Sequence, residues 1–252
     1  MLLTVHGALD HGGAYHPTGR WFREKGFASV ALDQHGHDRQ KRVFVPRFEV
    51  FLDDLERMLS WVEAAYPGLP VFILAHSMGG LISFHFGLRR LKEGSQVRGF
   101  VMSAPYLVNA VKTPVVIQKF AGVFSAVVPR MKAPVEDFFD VVTHDEVITR
   151  QHRDDVRDGI KASEISMRFG HLLLSAQKPV PGWIGAWRFP LFVVLAGQDK
   201  LADTPAVAAL LERIDPGLCH VETYPDNYHE NFNEINREEI FSGILAWLEE
   251  RI

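Results

Sequence analysis

The chain has 252 residues, of which 47% are hydrophobic and 23% are charged. This length and apolar content suffice for the core of one α/β domain. The formal net charge of −4 and the lack of a basic stripe argue against nucleic acid as a partner.

The single cysteine and the N-terminus bear on the expected location. Cys219 is the only cysteine, so no intrachain disulfide forms, and we expect a cytoplasmic protein, with peripheral contact to membranes as an alternative. The N-terminal stretch MLLTVHGALDHGG has no basic segment and no long apolar segment, so no signal peptide is predicted. No apolar run is long enough to span a membrane. Cys219 itself is expected to be a small buried residue without a role in the chemistry.

Strand and helix patterns alternate along the chain. Six short apolar runs are predicted strands: Leu2–Val5, Ala28–Leu32, Val71–Leu74, Gly99–Ser103, Leu191–Leu195 and His220–Tyr224. Four stretches with apolar residues at helical spacing are predicted helices: Phe48–Ala65, Gly80–Leu91, Pro205–Arg213 and Glu238–Arg251. This alternation predicts a parallel, doubly wound α/β sheet with helices on both faces.

Residues 106–187 interrupt the alternation, because no strand is predicted there and prolines punctuate the segment. We interpret residues 106–187 as a helical cap inserted into a core of residues 1–105 and 188–252. Its stretch VVIQKFAGVFSAVV (115–128) is either a helix buried against the core, which is the more common explanation of such a pattern, or a lid with an apolar face. The stretch HRDDVRD (152–158) is predicted to be solvated, with a phosphate group at Arg153 or Arg157 as an alternative.

The turn at residues 75–80 carries the clearest chemical signal. The stretch LPVFILAHSMGG (69–80) joins a predicted strand to a predicted helix through Ala75, Ser77 and Gly79. This spacing is typical of a nucleophile elbow, in which the serine backbone is strained and the residues two before and two after it must be small. The following helix directs its N-terminal N–H groups toward the serine oxygen, and the N–H of Met78 is the first candidate oxyanion donor.

A nucleophilic serine needs a base and an acid that orients the base, and in folds with this elbow both follow the serine in the order acid, then histidine. Asp199 comes directly after the fifth predicted strand, and His229 follows the last one. Asp203 is better explained as a helix cap, and His220 lies within a strand and should point away from the loop. The sequence therefore predicts that Asp199 and His229 act with the elbow serine.

The loop after the first strand offers a second oxyanion donor. Gly7 allows a sharp turn there, so the N–H of Ala8 is expected to point at the substrate oxygen. His6 is expected to hold this loop by side-chain hydrogen bonds. His76 and Gly79, on either side of the serine, complete the set of supporting residues. This chemistry requires no metal and no organic cofactor.

These stretches together resemble the monoacylglycerol lipase and lysophospholipase group of serine α/β-hydrolases. The matching stretches are HGALDHGGAY (6–15), LDQHGHD (32–38), YPGLPVFILAHSMGG (66–80), GQDKLAD (197–203) and YPDNYHE (224–230). The resemblance spans nearly the whole chain and is weakest at residues 106–187. It implies Ser77 as nucleophile, Asp199 as acid, His229 as base, and the amides of Ala8 and Met78 as the oxyanion hole. It also favours an apolar acyl pocket under the stretch 115–128, with contact between this stretch and a lipid surface as the alternative.

The chain also departs from the family pattern. Leu9 stands where the family usually has glycine, which should narrow the acyl entrance, and Asp10 stands where it has glutamate. Asp38-Arg39-Gln40 replaces a usual Gly-x-Ser. The family normally has two further strands before the one that leads into residue 6. We therefore expect a sheet of about six strands with residues 28–32 at an exposed edge that can pair with a second subunit; a truncated sequence is the alternative.

The residues and the resemblance predict an α/β-hydrolase fold with a mostly parallel sheet and a helical cap. The expected activity is that of a serine carboxylic ester hydrolase, which acts through an acyl-enzyme on single-chain lipid esters such as a monoacylglycerol. A lysophospholipase and a short-chain carboxylesterase are alternatives, and an acyltransferase would use the same triad. A proline-releasing peptidase resembles G-G-S-W-G at the elbow, which Met78 contradicts. From another class, a non-catalytic hydrolase-like binding protein remains an alternative.

Overall fold

A parallel sheet forms the centre of the molecule. The computed structural model describes residues 1–37, 43–111, 122–134 and 136–252. Their strands are β1 (Leu2–Val5), β2 (Ser29–Ala31), β3 (Val71–His76), β4 (Val97–Ser103), β5 (Lys132–Pro134), β6 (Glu164–Ser166), β7 (Leu191–Ala196) and β8 (Cys219–Tyr224). Six of these strands form one sheet in the order β2-β1-β3-β4-β7-β8, and every pairing in it is parallel.

The register of this sheet brings the carboxyl ends of its strands to one edge. Val5 pairs with Ala75, His76 pairs with Ser103, and Ala196 at the end of β7 pairs with Tyr224 at the end of β8. The loops that follow β1, β3, β7 and β8 therefore meet on the same side of the sheet, where ligands bind in open α/β sheets.

Helices cover both faces of the sheet, as the sequence predicts. They are α1 (His16–Arg23), α2 (Glu49–Ala65), α3 (Met78–Arg89), α4 (Glu146–Arg157), α5 (Met167–Gln177), α6 (Val180–Trp183), α7 (Thr204–Leu211) and α8 (Arg237–Glu249). Short 3₁₀ helices lie at Gly12–Tyr15, Glu136–Val141, Ile184–Ala186 and Asn231–Asn233, and residues 122–127 are also helical.

Alternate side chains of the strands enter two separate apolar cores. On one face, Leu3, Val5 and Ile73 pack with residues of α2, α3 and α7. On the other face, Leu2 and Phe72 pack with residues of α1 and α8. This alternation follows from the two-residue period of a strand, and it explains why the buried strands read as continuous apolar runs.

The sequence-based elements agree with the structure except at some ends, at Cys219, at α1 and in the segment between β4 and β7. The edge position predicted for residues 28–32 is confirmed, since β2 pairs only with β1 among the described strands. Cys219 was expected before the last strand as a buried residue; it is instead the first residue of β8 and is only partly buried. The pattern gives no indication of α1, a short helix with Pro17 in its first turn.

The expectation that residues 106–187 contain no strand is wrong. β5 and β6 form a small antiparallel sheet there, with Lys132 opposite Ser166 and Pro134 opposite Glu164. Each strand has three residues, which is too short for a recognisable two-residue alternation, and the pairing joins segments about thirty positions apart. Among the described residues, no helix combines the length and the apolar character needed to cross a membrane.

Candidate active site

Ser77 lies in a strained turn between β3 and α3. Its backbone has φ 52° and ψ −115°, a conformation that non-glycine residues rarely adopt. The surrounding chain holds it there: the N–H of Ser77 donates to the carbonyl of Ser103 (3.0 Å), and the Ser77 carbonyl accepts from the N–H groups of Gly80 (2.9 Å) and Tyr106 (3.0 Å). A Cβ on Gly79 would overlap the backbone carbonyl of Val5, so only glycine fits this position.

The structure brings Ser77, His229 and Asp199 together. His229 Nε2 lies 2.7 Å from Ser77 Oγ, and His229 Nδ1 lies 2.7 Å from Asp199 Oδ2. The side chains of His229 and Asp199 are 3% and 0% exposed, so both contacts are shielded from water. The carboxylate accepts from Nδ1–H, which leaves Nε2 free to accept the serine proton.

The second carboxylate oxygen of Asp199 is also satisfied. Asp199 Oδ1 accepts from the N–H groups of Leu201 (2.8 Å) and Ala202 (2.9 Å). Burial by itself raises the pKa of Asp199, but the neighbouring His229 and these hydrogen bonds outweigh burial and hold the pKa below its ordinary value. Asp203, the alternative acid, accepts from the N–H of Ala206 (3.0 Å) and caps α7.

The loop after β1 lies directly against the serine turn. A Cβ on Gly7 would lie 3.1 Å from a ring carbon of His76 and 3.3 Å from the Cβ of Ser77, so glycine permits this close approach. Ala8 and Met78 both line the cavity beside Ser77. Neither backbone N–H donates to an acceptor within residues 1–37, 43–111, 122–134 or 136–252.

His6 holds the loop after β1 from beneath. Its ring is fully buried, and the backbone N–H of Gln34 donates to Nε2 (3.0 Å). The ring proton therefore lies on Nδ1, which donates to the carbonyl of Gly7 (2.8 Å). The side-chain amide of Gln34 donates in turn to the carbonyl of His6 (2.6 Å). Burial lowers the pKa of His6, so the ring stays neutral.

His76 lies between the serine turn and the histidine loop. Its ring centroid is 4.9 Å from that of His229, and its Nδ1 is 3.2 Å from the carbonyl of Ser103. Burial, and next the proximity of His229, lower the pKa of His76 to about 4. A neutral His76 adds no positive charge beside His229.

A cavity opens above Ser77. Its volume is about 150 Å³, and it opens to solvent. Its wall is mostly apolar, and most of the apolar side chains in it come from the segment between β4 and β7, among them Val111, Phe139, Val142, Ile165, Phe169 and Leu173. Leu9 also lines it. Two acidic residues, Asp10 and Glu230, also line the cavity.

Several other residues that the sequence analysis singled out do not line this cavity or lie outside the described residues. Residues 112–121, which include much of the stretch 115–128, and Asp38-Arg39-Gln40 lie outside the described residues. Of the remainder, Val123, Phe124 and Val127 are exposed and line neither the cavity nor the core. His220 lies in β8 with an exposed ring 3.3 Å from Glu222 Oε1, remote from Ser77.

The expectation that residues 152–158 are wholly solvated is wrong. His152 and Asp155 are buried, whereas Arg153 and Arg157 are exposed and form ion pairs with neighbouring aspartates. His152 belongs to a buried polar chain that sequence reasoning missed, together with Asp10, Lys161 and Glu230. The three-residue spacing of His152 and Asp155 on α4 is the only local signal of a buried face.

Among the described residues, no group of three or more His, Cys, Asp or Glu side chains is placed to hold a metal ion.

A parallel sheet, a serine in a tight strand–helix turn and a neighbouring His–Asp pair are the features of the α/β-hydrolase class. Residues 1–236 match the family model described as "Serine aminopeptidase, S33" (Hydrolase_4). The chain belongs to this family of α/β-hydrolases, and the resemblance described above is confirmed.

Individual relatives carry lipase and phospholipase names. The monoacylglycerol lipase of Mycolicibacterium smegmatis is 29% identical and covers 98% of this chain and 87% of its own length. Phospholipase YtpA of Bacillus subtilis is 26% identical and covers 100% of this chain and 96% of its own. The crystal structure of Paleococcus ferrophilus monoacylglycerol lipase matches this chain with a TM-score of 0.82 and 19% sequence identity. The match covers 100% of this chain and 94% of the Paleococcus chain. At this identity the likeness supports the fold alone.

Proposed function

We propose that the protein hydrolyses carboxylic esters of single-chain lipids through Ser77, His229 and Asp199. The observation that carries the proposal is the 2.7 Å contact between His229 Nε2 and Ser77 Oγ at the base of a mostly apolar cavity. A serine hydroxyl is a weak nucleophile unless an adjacent base accepts its proton, and this contact provides that base.

The proposed reaction has two stages. His229 Nε2 accepts the Ser77 proton while Ser77 Oγ bonds to the ester carbonyl carbon, and the N–H groups of Ala8 and Met78 stabilise the resulting oxyanion. His229 then donates that proton to the leaving alcohol, and an acyl-enzyme remains. Water, deprotonated by His229, releases the fatty acid in the same way. Asp199 keeps the imidazole proton on Nδ1 and stabilises the ring when it is charged.

The cavity and the relatives' names together favour a lipid ester. The apolar wall suits an acyl chain, and the two sequence relatives named above are a monoacylglycerol lipase and a phospholipase. We therefore propose a monoacylglycerol as the preferred substrate, with a lysophospholipid or a short-chain ester as alternatives. The family description names an aminopeptidase, but a peptide substrate would find few polar partners along this wall.

We further propose that residues 106–187 act as a cap and that the cap touches lipid surfaces. Val123, Phe124, Val127, Val128 and Met131 are large apolar side chains exposed within a stretch of nine residues. Contiguous exposed apolar residues are expected at a membrane or partner interface. Pairing of two subunits through the edge of β2 and a cytoplasmic location stay predictions.

Intact-protein mass spectrometry after incubation with a fluorophosphonate tests the proposed nucleophile. Ser77 Oγ should bond to phosphorus, fluoride should leave, and the mass should rise by one adduct on the wild type. The Ser77→Ala variant should gain none, whereas Ser125→Ala, which removes a hydroxyl of the segment above the cavity, should react like the wild type. No adduct on folded wild-type protein would exclude the proposed mechanism and favour a binding protein.

A further inference from the structure

A chain of buried polar contacts connects the loop after β1 to the loop that carries His229. Lys161 Nζ lies 2.9 Å from Asp10 Oδ1 and 2.8 Å from His152 Nδ1. His152 Nε2 lies 2.9 Å from Glu230 Oε2. An ammonium only donates, so His152 Nδ1 accepts from Lys161, and its Nε2–H donates to Glu230.

This chain lies away from solvent. The side chains of Lys161 and His152 are 2% and 4% exposed, and those of Asp10 and Glu230 are 10% and 14% exposed. Burial by itself lowers the pKa of Lys161, but Asp10 and Glu230 outweigh burial and raise it above its ordinary value. Lys161 is therefore a buried cation. Such a charge is tolerated only where partners compensate its lost hydration.

The ends of the chain are immediate neighbours of the reacting groups. Asp10 is two residues from Ala8, whose N–H is a proposed oxyanion donor, and Glu230 is adjacent to His229. Lys161 and His152 come from the segment between β4 and β7, so this segment contacts both loops at one point. The backbone N–H of Glu230 also donates to the carbonyl of Val142 in the same segment (2.8 Å).

The loop after β1 needs such an external restraint. Leu9, between Ala8 and Asp10, has φ 64°, in the left-handed region that a branched side chain disfavours. A strained residue persists only where its surroundings over-determine its conformation. The Lys161–Asp10 ion pair supplies a restraint on the residue that follows Leu9.

We infer that Lys161 is a positioning residue for the Ser77 site, which holds the Ala8 loop against the His229 loop through Asp10, His152 and Glu230. The inference rests on the proposed hydrolase function. A buried lysine whose only role is to stabilise the fold would affect folding without selectively changing the chemical step. A positioning lysine affects an interaction that is made chiefly in the transition state, so it changes the rate constant more than the affinity.

The test compares Lys161→Met with the wild type by the kinetics of fluorophosphonate labelling. Misplacing an oxyanion donor by a fraction of an ångström should lower the maximal inactivation rate constant at least about tenfold, while the half-saturating concentration changes less than about threefold. Lys132→Met is the matched control, because Lys132 forms an exposed ion pair with Glu164 (2.8 Å) on the same segment. It should label at a rate within about twofold of the wild type.

The possible results separate this inference from the proposed function. An unlabelled wild type contradicts both. The inference alone is overturned if the wild type is labelled and the folded Lys161→Met variant has the same maximal inactivation rate constant. It is also overturned if only the half-saturating concentration of the variant changes. If Lys161→Met does not fold, the double variant Asp10→Asn/Lys161→Met removes the unpaired charge. It should fold and still label at least about tenfold more slowly than the wild type. A rate within about twofold of the wild type overturns the inference.

Discussion

Leu9 is the residue where sequence and backbone geometry disagree most clearly. The resemblance places glycine at this position, and the observed φ of 64° is one that glycine adopts freely. For a leucine the left-handed conformation costs about 1–2 kcal/mol. Leu9 lines the cavity, and its narrowing of the acyl entrance stays a prediction. The strain is retained beside the proposed oxyanion hole, where the backbone must take an unusual path.

Substitutions at Leu9 should reverse the usual order of alanine and glycine. Both Leu9→Ala and Leu9→Gly lose the same apolar contacts, but only glycine relieves the left-handed strain. We therefore expect Leu9→Gly to be more stable than Leu9→Ala by about 1 kcal/mol in urea unfolding. At Leu172, inside helix α5, alanine should be the more stable of the two by about 1 kcal/mol. The same order at both positions would contradict the proposed strain.

At the scale of elements, the β3–α3 turn depends on two small residues. Ala75 is fully buried in β3, and Gly79 is in the first turn of α3 beneath the loop after β1. The carbonyls of Val5 and His6 occupy the space where a side chain at Gly79 would lie. Val5 is the last residue of β1, an inner strand of the sheet, and the His6 carbonyl accepts from the side chain of Gln34, so neither carbonyl can move without disturbing these contacts.

Gly79→Ala should therefore destabilise the protein strongly. Overpacking against backbone atoms in the core should lower the free energy of unfolding by more than about 3 kcal/mol and abolish fluorophosphonate labelling. Gly182→Ala is the matched control, since a Cβ there meets no atom of the other described residues within 4 Å, its chain neighbours and its own helix backbone aside. It should unfold at the same urea concentration as the wild type or a higher one. Equal unfolding midpoints for the two variants would show that the turn tolerates a side chain.

Helix α4 shows that the number of charged residues in a helix does not predict which of its side chains are buried. Five of the seven residues in HRDDVRD are formally charged, which favours a solvated surface. The helix nevertheless buries His152 and Asp155 and directs Arg153 and Arg157 to solvent. His152 is buried because it meets Lys161 and Glu230, residues that lie outside α4.

At the scale of the whole molecule, the segment between β4 and β7 presents two different surfaces. Its inner surface lines the cavity above Ser77 and supplies Lys161 and His152. Its described outer part exposes apolar side chains, with Val127 at 73% and Val123 at 55%. An apolar exterior next to an apolar cavity suits an enzyme that takes its substrate from a lipid surface.

Membrane contact by these residues can be measured by sedimentation with phosphatidylcholine vesicles. Removal of two exposed valines in Val123→Ser/Val127→Ser should lower the partition coefficient at least about tenfold, given about 1.5 kcal/mol for each buried valine side chain. Ile235→Ser, at a residue that is 72% exposed near α8, should leave the partition coefficient unchanged. Equal losses in both variants, or no vesicle binding by the wild type, would contradict the proposed contact.

Much of the fold follows from local patterns in the sequence. The order of strands and helices and the tight turn at Ser77 depend on apolar periodicity and on residue size over short stretches. The edge position of residues 28–32 was instead implied by the family resemblance, because the family usually has two further strands before β1. The predicted acid and histidine could also be located, because each follows a recognisable strand and parallel strands end at one edge of the sheet. Their catalytic roles stay a proposal.

The tertiary structure alone decided which distant residues meet. Three features join segments that lie far apart in the chain. They are the pairing of β5 with β6, the apolar wall of the cavity, and the contacts among Asp10, His152, Lys161 and Glu230. Apart from the three-residue spacing of His152 and Asp155 on α4, no local pattern marks the residues of this polar chain, since their burial depends on partners contributed by other segments. In the sequence, a charged residue that becomes buried looks the same as one that stays exposed to solvent. Only the folded chain supplies the neighbours that compensate its charge and exclude water from it.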